Sequence, residues 1–480
     1  MNAPQSDKQT AYIPNTSADR AKMLETIGVE RIGDLFAGLP ASIRDPKLSL
    51  PAALGEAEVT RLLRDLSDRN WDPSRCPCFL GAGVYRHFIP SVVGYVTGRA
   101  EFLTSYTPYQ PEVSQGNLQA IYEYQSMVCL LTGMDVANAS MYDGATAAAE
   151  AAVMAVNITG RDRVVAAPWV HPETVSVLRT YLVGQGIEVA ALAADRSPSG
   201  ALDAAGLAAS LDEHTACLIV QQPNFVGSVE DLAALASAAH AVGALLVVCV
   251  DPLALGLLEA PGKLGADVVV GEGQPLGLPA SYGGPYLGIF ACREAYVRQM
   301  PGRIVGATVD TRGNRGFVLT FQTREQHIRR EKATSNICSN EALCALAATV
   351  YLSWMGPQGL REVAETCLQR AHYAAREIAK LPGYSLAYPA PFFDEFVVRC
   401  PKPAAEVNRA LLDRGIIGGY DLGRIDSPLA DGLLLCVTEA NSRSEIDALV
   451  AALAEIGDSG PSGPSGPKER PGWDATRKLA

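Results

Sequence analysis

The chain has 480 residues, of which 48% are hydrophobic and 19% are charged. These fractions are typical of folded globular proteins and exclude a wholly disordered chain, and the length allows about two to four domains. Fifty-two acidic and forty basic residues give a net charge of −12. Nucleic acids and anionic membranes attract positively charged surfaces, so we expect neither a nucleic-acid nor a membrane partner.

The eleven cysteines are scattered, and no cysteine or histidine spacing matches a zinc site, so no metal is predicted. Most lie in apolar stretches, which is typical of small core residues in a reducing compartment. The first residues lack a basic segment followed by an apolar run, and the longest apolar run, 241–250, is too short to span a bilayer. These features predict a cytoplasmic protein.

Residues 1–75 predict an N-terminal helical arm. Its segment GEAEVTRLLRDLSDR carries apolar residues at helical spacing, namely Val59, Leu62, Leu63 and Leu66.

Residues 76–330 alternate β-rich runs with alanine-rich stretches and predict a large α/β domain, with a mostly parallel sheet flanked by helices. Strands are expected over 163–168, 187–192, 216–223, 244–251, 266–271 and 286–292. Helices are expected over 145–158, 173–185, 203–211 and 228–242. Ser228 and Asp231 indicate the start of the last helix, and Gly243 indicates its end.

Residues 331–457 predict a smaller C-terminal α+β domain. A long helix over 358–381 precedes two strands, FFDEFVVRC and GLLLCVTE, which alternate with two further helices. Residues 458–480 are rich in glycine, proline and serine and predict a disordered tail.

A large parallel-sheet domain followed by a small α+β domain is the layout of fold-type I pyridoxal-phosphate (PLP) proteins. Such a protein needs a helix N-terminus for the phosphate. Asp143 to Thr146 precede the helix at 145–158, but Asp143 places a negative charge where the phosphate would bind. We therefore favour an ordinary helix start capped by Asp143.

PLP also needs a carboxylate near its pyridine nitrogen. Asp251 ends the strand over 244–251, so it is either a vestige of that carboxylate or a turn residue before Pro252. His171 occupies the position at which this fold stacks an aromatic or histidine ring on the cofactor, and we interpret it as a structural remnant.

The cofactor-binding lysine is absent. It should follow the strand over 266–271, where Gln274 and Pro275 stand instead. Only nine lysines occur in the chain, with none between Lys47 and Lys263 or between Lys263 and Lys332. Lys332 lies too far along the chain to serve. The architecture of a PLP enzyme is predicted without its central residue.

Several long segments resemble one family, glycine decarboxylase, the P-protein of the glycine cleavage system. They are GAGVYRHFIP (81–90), YTPYQPEVSQGNLQAIYEYQ (106–125), TGMDVANASMYDGATAAAEA (132–151), SYGGPYLGIFA (281–291) and RREKATSNICSNEAL (329–343). The resemblance covers about residues 10 to 455 and is to subunit 1, the N-terminal-half subunit of the two-subunit form.

The resemblance implies that PLP is held by a partner, subunit 2, in an α2β2 assembly. Together the subunits would decarboxylate glycine and transfer the aminomethyl group to the lipoyl arm of H-protein, with T-protein and L-protein as the other components. Two alternatives are a purely structural or regulatory partner of a PLP enzyme, and an independent enzyme that uses Lys332 or another mechanism.

Two segments are candidates to line the partner's active site. The loop 106–112, called here the tyrosine loop, is stiffened by two prolines and offers Tyr106, Tyr109, Gln110 and Glu112. Its tyrosines could instead pack at the interface. In GAGVYRHFIP, Arg86 and His87 could face a carboxylate substrate or a phosphate. Alternatively, Arg86 pairs with an acidic residue and His87 is a core histidine.

Overall fold

The computed structural model describes residues 14–44, 46–47, 49–193, 197–425, 429 and 431–458. The chain divides into two compact units, one ending at Asn70 and the other beginning at Trp71. The first unit contains the helices α1 (Ser17–Ile27), α2 (Ala41–Arg44) and α3 (Glu56–Ser67). Helix α3 confirms the helix predicted from apolar spacing, yet no described residue of this unit is buried.

The large domain of the second unit is built on a seven-stranded sheet with the order β1-β7-β6-β5-β4-β2-β3. Its strands are β1 (Val136–Ala137), β2 (Arg163–Ala166), β3 (Glu188–Ala191), β4 (Thr215–Gln222), β5 (Leu245–Val250), β6 (Val268–Glu272) and β7 (Gly288–Cys292). Strands β2 to β6 are parallel and β7 is antiparallel to β6, so the prediction of a mostly parallel sheet is confirmed.

Helices cover this sheet because its central strands are apolar on both faces. The helices of the domain are α4 (Ser91–Thr97), α5 (Ala100–Leu103), α6 (Gln115–Thr132), α7 (Gly144–Thr159), α8 (Pro172–Leu182), α9 (Ala204–Ala208), α10 (Leu232–Ala241) and α11 (Gln326–Arg329). Helix α7 packs across β4, β5 and β6, and its buried alanines allow close approach to the strands.

One predicted helix start was too early, and one hairpin was not predicted. Helix α10 begins at Leu232 with Asp231 as its cap, because Ser228 closes a tight turn in which its backbone N–H donates to the Asn224 side chain. The hairpin β8 (Ile304–Val309) and β9 (Arg315–Thr320) was not predicted, and it packs on α6 rather than joining the large sheet.

The small domain has an antiparallel sheet with the order β10-β11-β13-β12. Its strands are β10 (Ser385–Leu386), β11 (Glu395–Arg399), β12 (Tyr420–Asp421) and β13 (Gly432–Cys436). Its helices are α12 (Ala342–Ile378), α13 (Ala404–Leu412) and α14 (Arg443–Asp458). Helix α12 starts well before the predicted residue 358, because two helical segments join at Gly356, whose φ is +62°, ahead of Pro357.

No helix in the described part of the chain is long and apolar enough to cross a membrane. The cytoplasmic location stays a prediction. All eleven cysteines are free thiols, and Cys217 and Cys436 are buried as expected. The tail was predicted to be disordered, and its residues from 459 onward lie outside the described ranges.

Candidate functional site

A cavity of about 430 Å³ lies at the carboxyl ends of β4, β5 and β6. Ligands of open α/β sheets bind at this edge. We call it the carboxylate cavity, since its walls include Asp143, Glu173, Asp251, Glu272, Asp394 and Glu395. The last two come from the start of the small-domain sheet, so two layers of the fold enclose one site.

The helix N-terminus that would hold a phosphate is already occupied by the chain's own carboxylate. Oε2 of Glu272 accepts a hydrogen bond from the Gly144 N–H at 3.0 Å, and Oε1 accepts from the N–H groups of Gln274 and Leu287. The backbones approach so closely that a Cβ on Gly144 would lie 2.8 Å from the Glu272 nitrogen. Asp143 caps α7 through Thr146 at 2.7 Å, as expected.

The residue at the lysine position, Gln274, joins two segments of the chain by hydrogen bonds. Gln274 is 1% exposed, and its side chain accepts from the Tyr85 N–H and donates to the carbonyl oxygens of Tyr85 and Leu278. This amide therefore holds the segment GAGVYRHFIP against the loop after β6. Pro275, the next residue, offers no amine.

The cavity does not fit a covalently held PLP. No side-chain amine stands at the lysine position, and a carboxylate fills the place of the phosphate. Burial, the largest effect, raises the pKa of Glu272 to about 7, despite the three backbone N–H groups that favour its ionised form. A phosphate would have to displace this residue and break three hydrogen bonds.

Two residues predicted as vestiges of a cofactor site both line the cavity. Asp251 follows β5, and its Oδ1 accepts from the Leu253 N–H at 2.9 Å, which is a turn contact. His171 donates from Nε2 to the Ala82 carbonyl and accepts at Nδ1 from the Glu173 N–H. Burial lowers the pKa of His171, which favours the neutral imidazole. One ring nitrogen then donates and the other accepts, so the side chain has a structural role.

His87 belongs to a buried hydrogen-bonded network outside the cavity wall. Its Nδ1 lies 2.7 Å from Oε2 of Glu439, which also accepts from the Cys367 thiol at 3.2 Å. Burial alone would raise the pKa of Glu439, yet the bonds from His87 and from the Phe88 N–H hold it below its usual value. The three side chains could serve a metal, but these hydrogen bonds already account for their proximity.

Arg86 does not line the carboxylate cavity. Its Nη1 is buried with no hydrogen-bond partner among the described residues, and its carbonyl accepts from the Thr438 hydroxyl at 2.6 Å. The neighbouring GAGVYRHFIP residue Tyr85 does reach the cavity, where its hydroxyl donates to Glu395 at 2.8 Å.

The tyrosine loop lies on a different surface. Tyr106 is 82% exposed and lines a groove of about 220 Å³ with residues of α6 and the start of α12. Gln110 and Glu112 are exposed. Tyr109 is positioned from inside by Arg303, which is 5% exposed and donates to the tyrosine hydroxyl at 3.0 Å. Sequence analysis missed Arg303, because nothing nearby in the sequence links it to the loop.

Comparison of this chain with known proteins identifies its family. Residues 10–453 match the family described as glycine cleavage system P-protein. This chain belongs to that family. A relative from Thermomicrobium roseum, named "probable glycine dehydrogenase (decarboxylating) subunit 1", is 57% identical over 92% of this chain and 98% of its own length.

Solved structures agree with the P-protein assignment. A crystal structure of glycine decarboxylase (P-protein) of the glycine cleavage system, in inhibitor-bound form, has a TM-score of 0.85 and 44% identity. It covers 93% of this chain and 100% of that one. A C-DES mutant with glycine covalently linked to its PLP cofactor has a TM-score of 0.59 and 17% identity, with 80% and 97% covered. The predicted fold-type I class is thus confirmed.

Three buried carboxyl groups predict that folding stability falls as pH rises. Burial is the largest cause that raises the pKa of Glu230, Glu272 and Glu395, each to about 7. The folded state therefore binds protons more tightly than the unfolded state, whose glutamates titrate near about 4.3. The stabilisation is complete below that value and is lost as pH rises through about 7.

We expect the melting temperature of the full chain to be lower at about pH 8 than at about pH 5.5, and Glu230→Gln to reduce this difference. Differential scanning calorimetry measures both. A melting temperature that rises over this interval would contradict the assignment.

Proposed function

We propose that this chain is subunit 1 of a two-subunit glycine decarboxylase in which subunit 2 holds PLP, in an α2β2 assembly. The pair decarboxylates glycine and passes the aminomethyl group to the lipoyl arm of H-protein, with T-protein and L-protein completing the system. The observation that carries the proposal is a P-protein chain whose own cofactor cavity has Gln274 at the lysine position and Glu272 at the phosphate position.

Exposed apolar residues support an obligate partner. In the first unit, large hydrophobic side chains are exposed throughout, for example Ile43 at 60%, Leu50 at 74% and Leu63 at 58%. A monomeric protein rarely leaves so many apolar side chains in water, and obligate interfaces are the usual explanation. Leu63 lies on the face of α3 that was predicted from apolar spacing.

A second apolar surface surrounds the tyrosine loop. Its exposed large side chains come from α4, α5, α12, the tyrosine loop and the residue directly after that loop: Tyr95, Leu103, Trp354, Tyr106, Tyr109 and Val113. Three aromatic residues from the same stretch of sequence serve the chain's own interior instead: Phe79 and Tyr124 are buried, and the hydroxyl of Tyr85 donates to Glu395.

Within this proposal, the tyrosine loop forms part of the wall of the partner's active site. A buried arginine that positions an exposed tyrosine hydroxyl supports this role, since packing at an interface needs only the ring. Arg303 is itself held in place: it donates to the Cys338 carbonyl at 2.6 Å and lies beside Glu325 at 3.5 Å. An ordered donor behind Tyr109 fixes where the hydroxyl oxygen stands.

The test removes only the hydroxyl. Tyr109→Phe in the assembled enzyme is expected to lower kcat for glycine–bicarbonate exchange by about tenfold or more, as loss of a positioned polar group at a reacting centre does. Size-exclusion chromatography should show an unchanged assembly. Tyr95→Phe, an exposed tyrosine outside the loop, is the matched control. Loss of assembly without a fall in kcat of the remaining complex would indicate interface packing instead.

The alternative of a purely structural or regulatory partner is favoured by one observation, the many hydrogen bonds that close the chain's own cofactor site. It predicts that no substitution in the tyrosine loop changes chemistry. The alternative of an independent enzyme based on Lys332 has little support, because this lysine is exposed and does not line the carboxylate cavity.

A further inference from the structure

A surface loop beside the tyrosine loop carries a cluster of exposed cations. It comprises residues 325–333 and is called here the basic loop. Its two ends are held together, because the Thr334 N–H donates to the Arg324 carbonyl at 3.1 Å. Its exposed cations are Arg329, Arg330 and Lys332. Surface loops whose ends are close frequently carry a function.

The glutamates of the basic loop do not neutralise these cations. Glu325 turns inward, where its side chain is 10% exposed and lies 3.5 Å from Arg303 and 3.6 Å from His327. Glu331 is exposed, and no carboxylate of the described residues forms an ion pair with any of the three exposed cations. The loop therefore presents net positive charge on a chain whose overall charge is −12.

The backbone of the basic loop is strained at one of these cations. Arg330 has φ +55° and ψ −125°, a conformation that suits glycine and is unfavourable for a residue with a Cβ. Residues held in such conformations are concentrated at binding and catalytic segments. An arginine in this place indicates that its side chain is needed at the surface.

The basic loop is in contact with the tyrosine loop. The His327 ring packs edge-on against the Tyr109 ring, with 5.4 Å between the ring centroids. Arg303 joins the same two loops, since it donates to the Tyr109 hydroxyl and lies beside Glu325. A molecule bound to the basic loop would therefore lie next to the hydroxyl that we assign to the shared active site.

We propose that the basic loop is a docking surface for the carrier H-protein, which meets it with an acidic face. This inference rests on the proposed function, in which H-protein must bind and leave in every turnover. Exposed charges suit a transient partner, because they attract it from a distance without the large apolar contact of a permanent interface. The partner subunit, by contrast, would bind through the exposed apolar surfaces described above.

The test measures the KM for H-protein in glycine–bicarbonate exchange by the assembled two-subunit enzyme. The double variant Arg329→Glu/Arg330→Glu reverses two charges of the basic loop. The matched control, Arg179→Glu/Arg409→Glu, makes the same change in charge at two exposed arginines of α8 and α13. Each enzyme is assayed at about 0.01 M and about 0.15 M salt, between which the screening length falls from about 30 Å to about 8 Å.

We expect the basic-loop variant to raise the KM for H-protein about tenfold or more at the lower salt concentration and much less at the higher one, because attraction has become repulsion. The kcat and the KM for glycine should not change, and the control variant should behave as wild type. Size-exclusion chromatography should show an intact assembly for both variants.

Four results would overturn the docking proposal and leave the proposed function in place. They are an unchanged KM for H-protein, a rise that does not depend on salt or is shared by the control variant, a rise in the KM for glycine instead, and loss of the assembly, which would place the basic loop in the subunit interface. Absence of exchange by the wild-type assembly, at any concentration of H-protein, would overturn both.

Discussion

The purified chain, supplied with PLP and H-protein but without its partner subunit, is expected to show no glycine–bicarbonate exchange. Exchange should appear when the partner is added or co-expressed. The physical reason is that decarboxylation needs the electron-withdrawing cofactor, and this chain has neither the amine nor the anion site to hold it. The predicted change is from background to full activity, the largest effect in this account.

The partner subunit, assayed without this chain, is the control that shows whether the partner also depends on this chain. If the tyrosine loop forms part of the shared site, the partner without this chain should also lack full exchange. Exchange by this chain alone, at a rate that does not depend on the partner, would contradict the proposed division of roles.

Replacement of Glu272 by alanine is expected to destabilise the second unit by about 3 kcal/mol or more, because three backbone donors lose their acceptor at about 1–3 kcal/mol each. These donors are the N–H groups of Gly144, Gln274 and Leu287. Urea unfolding followed by circular dichroism measures the change in free energy of unfolding.

The matched variant is Glu272→Gln, which carries no charge to desolvate. Its single amide oxygen can accept from the N–H groups of Gln274 and Leu287, whereas its NH2 group would face the Gly144 N–H and lose that one hydrogen bond. It should therefore lie between the alanine variant and wild type, and closest to wild type near pH 8, where the wild-type carboxylate is ionised. An alanine variant as stable as wild type would show that Glu272 does not secure the helix N-terminus and that the phosphate position is open.

Much of the fold follows from apolar patterning. Strands β4, β5 and β6 were predicted because continuous apolar runs such as ALLVVCVD end at polar residues, and parallel strands buried on both faces have this pattern. The hairpin β8–β9 was missed because one end of it is exposed and its strands, IVGATV and RGFVLT, mix glycine, polar and apolar residues.

The site was predictable only in part. The absence of the lysine is visible in the sequence, and so is the cap at Asp143. That Glu272 fills the phosphate position was not predictable, since it depends on the pairing of β6 with β7 and on the approach of α7 to that strand. Likewise, Asp394 and Glu395 come from the small domain, more than a hundred residues after Asp251, and only the packing of the two layers brings them to one cavity.

Borohydride reduction of the assembled two-subunit enzyme, followed by mass spectrometry of each chain, shows directly which subunit holds the cofactor. We expect the reduced cofactor to be attached to the partner subunit, and we expect no lysine of this chain, Lys263 and Lys332 included, to carry the pyridoxyl mass. A pyridoxyl adduct on this chain, in stoichiometric amount, would contradict it.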